Sequence, residues 1–111
     1  MVRAPRTPDV AGFSRSSTGH DRSVLVVTGE LDISTSPIFQ QELTKLLDTD
    51  SHRVEVDLSG VVFMDSSALS ALVVAHERAK SQSQHLALSS PSPACAKVLG
   101  ITGLDRIFDL I

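Results

Sequence analysis

Tryptophan and tyrosine are absent from this chain, and four phenylalanines are its only large aromatic residues. A core built without bulky rings has to be aliphatic, packed from Val, Leu, Ile and Ala. Cysteine is nearly absent as well. Cys95 stands alone, which excludes an internal disulfide and fits a reducing compartment. It reads as a small buried hydrophobe in a short helix. A basic excess is also missing. The formal net charge is −3 over 111 residues. Residues 1–22 carry four arginines and two aspartates, leaving six basic and eleven acidic side chains in the remainder. That acidic remainder, poor in aromatics, argues against a nucleic-acid partner. Long apolar runs are lacking too. The most apolar stretch, Ala68 to Ala75, is far too short to span a bilayer, and the first residues have no apolar core of the signal-peptide kind. The expectation is a cytoplasmic protein with no membrane partner.

What is present points to one small domain. A chain of this length has little room for both a core and a deep enclosed cavity, which favours a binding module over an enzyme. Residues 1–21, rich in Pro, Arg, Ser, Thr and Gly, read as a mostly flexible tail, with room for a short edge strand between Val10 and Ser16. Residues 22–111 read as the folded domain.

Ser23 to Thr28 is a compact β-branched run ended by Gly29, a strand apolar on both faces and so expected inside a sheet. Glu30 to Pro37 reads as a connecting loop, with Ser36 as N-cap and Pro37 opening a helix to about Asp50. Ile38, Phe39, Leu43, Leu46 and Leu47 form its apolar stripe. Arg53 to Leu58 alternates strictly, and Ser59-Gly60 predicts a turn. A second helix is expected from Ser66 to about Lys80, with Leu69, Leu72, Val73 and His76 on one face and Val74 partly exposed. Leu86 to Leu88 predicts a short strand. Pro93 to Leu99 predicts a short helix stopped by Gly100, and Ile107 to Ile111 a last strand or short helix. Strands alternating with helices imply an α/β domain with a four- to five-stranded, mostly parallel mixed sheet. The wet side of the Arg53–Leu58 strand places the helices mainly on one face.

The most informative stretch is Val62-Phe63-Met64-Asp65-Ser66-Ser67-Ala68-Leu69. An apolar run stops at an acid and two hydroxyls, and a helical pattern starts at once. Asp65 reads as an N-cap, a role for which Asp and Ser are common in any protein. The same position suits a phosphate on Ser66, which would add about −1.5 to −2 charges at the amide-rich, dipole-positive end of a helix. Repulsion from Asp65 opposes that, each effect being on the order of 1 kcal/mol when exposed. Phosphorylation is then expected to change the surface rather than to unfold the helix.

Gly29-Glu30-Leu31-Asp32, Val56-Asp57-Leu58-Ser59-Gly60-Val61, Phe63-Met64-Asp65-Ser66-Ser67-Ala68-Leu69 and Leu99-Gly100-Ile101-Thr102-Gly103-Leu104 resemble, in order and spacing, the STAS-domain anti-sigma factor antagonists. The resemblance runs from about Ser23 to Ile111. It implies a small α/β domain with helices mainly on one side of the sheet. It implies an unphosphorylated form that binds an anti-sigma factor, itself an ATP-dependent serine kinase, and so releases the sigma factor. Phosphorylation at the serine after the motif aspartate, here Ser66, switches binding off, and a separate serine phosphatase restores it. Asp32 matches a family position needed for recognition and phosphorylation. The expected partner surface is Asp32, Ile33 and Ser34 with Asp65, Ser66, Ser67 and Ala68. Where many members have glycine this chain has Ala68, a better helix former.

A monomer or weak homodimer is expected, with no cofactor and no metal. The alternative reading is a constitutive scaffold or sensor that assembles with other STAS proteins without a phospho-switch. Catalysis is disfavoured. No nucleophile-elbow glycines flank Ser66, and none of His20, His52, His76 and His85 has an evident reason to reach it. His76 lies roughly 15 Å along the same helix by helix rise.

Overall fold

The computed structural model describes residues 11–17 and 21–111. The parts of the expected flexible tail at residues 1–10 and 18–20 lie outside the described residues. In chain order the elements are β1 (Gly12–Ser17), β2 (Arg22–Leu31), α1 (Ser36–Leu47), β3 (Arg53–Met64), α2 (Ser66–Ser81), β4 (His85–Ser89), α3 (Pro93–Thr102), a 3-10 turn (Leu104–Arg106) and β5 (Asp109–Leu110).

The five strands lie in the order β1-β2-β3-β4-β5. β1 runs antiparallel to β2, and every other neighbouring pair is parallel. Three successive crossovers in one direction place α1, α2 and α3 in one core with the sheet, as connections that share one hand must. Registered residues show the same face. Leu25, Val56 and Leu88 sit side by side on β2, β3 and β4 and belong to the same buried core as Phe39, Leu43, Leu72, Cys95 and Leu99 from the helices. On the opposite face, Glu55 and Asp57 are half-buried. Phe13 reaches from β1 to stack on Phe39 of α1, ring centroids 6.0 Å apart. This seals the edge of the core beside the one antiparallel strand.

β3 departs most from the sequence expectation. It runs unbroken through Ser59-Gly60, where a turn was expected. Its register with β2 slips by one residue between Val26 and Thr28, and by one more between Gly29 and Glu30. Two extra residues are therefore absorbed as bulges. The first lies at Leu58-Ser59, opposite Val27, where the Asp57 side chain accepts a hydrogen bond from the Ser59 amide at 2.9 Å. The second lies at Val62. It lets Val61 and Met64 both point into the core while Val62 and Phe63 turn outward. β2 also continues through Glu30 and Leu31, which the sequence assigned to a loop.

The helices differ from expectation at their ends. Thr35, not Ser36, is the residue before α1, and Ser36 is its first, buried residue. α1 ends at Leu47, short of Asp50. Phe39 is fully buried, whereas Ile38 is 51% exposed and off the apolar stripe. α3 passes through Gly100 and stops at Gly103, which takes the left-handed conformation that ends helices. Val74 is 68% exposed, while His76 lies half-buried with its ring edge-on to Phe108. Among the described residues no helix is long and apolar enough to cross a membrane.

Candidate functional site

The parallel pairing of β2 and β3 positions the site. Leu31 and Met64, the last residues of these strands, are registered partners, so the loop after β2 and the first turn of α2 emerge next to each other. The Asp65 amide donates to the Leu31 carbonyl at 3.0 Å, carrying the strand pairing to the residue before the helix.

Asp65 caps α2. Its Oδ1 accepts from the Ser67 amide at 2.9 Å, from the Ala68 amide at 3.4 Å and from the Ser67 hydroxyl. This satisfies amides that a helix start would leave without partners. Ser66, between them, is exposed, and its hydroxyl has no hydrogen-bond partner among the described residues. Its oxygen faces solvent at the positive end of a sixteen-residue helix.

The Asp32 loop is tied to itself. Asp32 Oδ1 accepts from the Ser34 hydroxyl at 2.7 Å, the Ser34 amide at 2.9 Å and the Thr35 amide at 3.1 Å. The Ser34 hydroxyl is the chief cause holding the Asp32 carboxyl below its ordinary value; partial burial opposes it, and the Thr35 and Ser34 amides reinforce it. Thr35 closes the loop by accepting from the Asp32 amide at 2.9 Å and donating to the Glu30 carbonyl at 2.8 Å. Ile33, at the tip, is 79% exposed.

These two segments do not touch through Asp32 and Asp65. They meet through two side chains behind them: the hydroxyls of Ser36 and Ser67 are hydrogen-bonded at 2.7 Å. Ser67 is thus half-buried and committed. Ala68, assigned above to an exposed surface, is fully buried. It lies on the same helical stripe as Ala71, Leu72, Ala75 and Ala79, which packs into the core. Its side chain cannot meet a partner, and this corrects the expectation. In its place the bulge in β3 exposes Val62 and Phe63 immediately before Asp65, a pair that the sequence shows only as part of an apolar run.

The described histidines are engaged elsewhere. His85 pairs with Asp109 at 2.6 Å, His52 approaches Asp21 at 3.9 Å, and His76 packs on Phe108; His20 lies outside the described residues. No group of three metal-ligating side chains occurs among the described residues. Cys95 is buried, and burial pushes its thiol up, away from a reactive thiolate.

Comparison with known proteins decides the family. A family model described as "Mlab, STAS domain" matches residues 14–111. The chain is 31% identical over 81 residues to an anti-sigma-B factor antagonist of Staphylococcus epidermidis, covering 73% of this chain and 75% of that protein. The chain belongs to the STAS-domain anti-sigma factor antagonist family. A STAS-domain containing protein of Pseudomonas aeruginosa is 25% identical over 95 residues, with 86% and 92% of the two chains covered. The crystal structure of an anti-sigma factor antagonist from Mycobacterium paratuberculosis superposes with a TM-score of 0.83 at 27% identity, covering 94% of this STAS chain and 87% of that one.

Proposed function

We propose that this protein is a phospho-switched antagonist of an anti-sigma factor. Its unphosphorylated form binds an anti-sigma factor that is also a serine kinase, the bound sigma factor is released, and phosphate on Ser66 ends the binding. A serine phosphatase resets the switch, and the cycle takes place in the cytoplasm. The observation that carries this reading is the state of the Ser66 hydroxyl. It is open to solvent and unpartnered among the described residues, while the serine beside it is committed to internal hydrogen bonds.

The chemistry follows from this arrangement. An exposed hydroxyl needs no general base from its own chain if the kinase supplies one together with ATP and metal. Asp65 Oδ1 already accepts three hydrogen bonds from the helix start. A phosphate one residue away would add nearly two negative charges to an exposed surface without taking those donors. A partner face built to receive Asp32, Asp65 and a neutral hydroxyl would then meet excess negative charge and bulk, and dissociate. Ile33, Val62 and Phe63 supply exposed apolar area for the same contact. The protein acts as the substrate of a kinase and a phosphatase, not as an enzyme.

Capture of partners from native cells tests this reading. Wild type is expected to retain a protein with serine-kinase activity, and Ser66→Asp to lose it. Equal capture by both would replace the switch with constitutive scaffolding.

A further inference from the structure

We propose that Ser36, Ser67 and Asp65 form a one-way hydroxyl relay that locks the Asp32 loop to the start of α2, with Ser67 a positioning residue for Ser66 rather than a second phosphoacceptor. The positioning role rests on the phospho-switch reading above; the relay itself does not.

The direction of the relay follows from counting hydrogens. A serine hydroxyl carries one proton, and an ionised carboxylate only accepts. The Ser67 hydroxyl spends its proton on Asp65 Oδ1. At the 2.7 Å contact between the two serines, Ser36 must therefore donate and Ser67 accept. Protons point from Ser36 to Ser67 to Asp65, and the chain ends on a charge, which polarises each bond before it.

Both ends are fixed to the backbone. At the far end, the same Asp65 oxygen holds the Ser67 and Ala68 amides and so sets the first turn of α2. At the near end, the Ser36 amide donates to the Asp32 carbonyl at 2.8 Å, and the Thr35 amide donates to the same oxygen at 3.2 Å. Ser36 is buried, with 3% of its surface exposed. Removing the Ser67 hydroxyl leaves the Ser36 hydroxyl without its acceptor in a place water does not easily reach. The two segments that form the candidate surface are thus joined by one pair of side chains thirty-one positions apart. A phosphate on Ser67 would take the relay's middle atom and place new negative charge against Asp65. A phosphate on Ser66 disturbs neither bond.

Amide hydrogen exchange on the full chain, together with phosphate transfer from Mg-ATP by the captured kinase, tests this. Ser67→Ala is expected to speed exchange at both the Ser36 and Ala68 amides, each on the order of five-fold. Ser67→Thr, which keeps the hydroxyl, is expected to return both toward wild type. Ser36→Ala approaches from the other end and is expected to speed exchange at Ala68; it carries the test alone if Ser67→Ala does not fold. In the kinase assay Ser67→Ala is expected to lower kcat with one phosphate still incorporated at completion, and Ser67→Thr to restore the rate. An effect of Ser67→Ala confined to residues 65–69, an unchanged Ala68 amide in Ser36→Ala, or loss of one of two phosphates in Ser67→Ala would overturn the proposal. Coupled amides with undiminished labelling of Ser66→Ala would instead sink the phospho-switch and leave the relay standing.

Discussion

Thr28 on β2 lies so close to Gly60 on β3 that a Cβ at position 60 would sit 2.7 Å from the Thr28 Cγ2. The two residues are registered partners immediately after the first bulge of β3. Glycine is required there by the close approach of a neighbouring side chain and not by a turn. Gly60→Ala is expected to destabilise the fold by about 1–3 kcal/mol. Combining it with Thr28→Ser, which removes Cγ2, should recover most of that loss. Urea unfolding of the four members of the cycle checks this; a Gly60→Ala variant as stable as wild type would remove the steric argument.

The stripe of α1 makes a sharper claim than its sequence did. Phe39→Ala is expected to cost about 3–5 kcal/mol, since the ring is fully buried against the sheet and stacked with Phe13. Ile38→Ala, one position earlier, is expected to stay within about 0.5 kcal/mol of wild type. Denaturant midpoints of the two variants separate the assignments, and similar losses for both would return Ile38 to the core.

Asp32 makes a pH-dependent contribution of definite sign. Its folded carboxyl titrates below the ordinary value of 3.8, chiefly because of the Ser34 hydroxyl. A group lowered on folding stabilises the native state above the unfolded pKa and loses that contribution as the pH falls through the folded one. Stability from Asp32 is therefore complete above 3.8 and declines below it. Following its carboxyl resonance against pH should give a midpoint under 3.8, moving upward in Ser34→Ala. A wild-type midpoint at or above 3.8 would contradict the hydrogen-bonded loop.

Local chemistry made much of this fold readable. Ser36-Pro37 located the start of α1 within one residue, and Asp65 announced the cap of α2, because capping depends on neighbours in sequence. Ser59-Gly60 misled because bulges and turns favour the same residues, and only the register against β2 tells them apart. Gly100 and Gly103 posed a similar choice, settled by which one adopts positive φ. Ala68 was legible but missed: counting by three and four from Leu72 puts it on the buried stripe. The link from Ser36 to Ser67 left no local trace, since it exists only when adjacent parallel strands bring two helix starts together.

Site-mapped phosphorylation tests the central claim most directly. The chain would be incubated with the captured kinase and Mg-ATP, digested and read by mass spectrometry alongside Ser66→Ala and Ser67→Ala. The predicted result is one phosphate, carried by Ser66, absent from Ser66→Ala and present in Ser67→Ala. Undiminished phosphate in Ser66→Ala, or phosphate found on Ser67 in the wild type, would contradict the account.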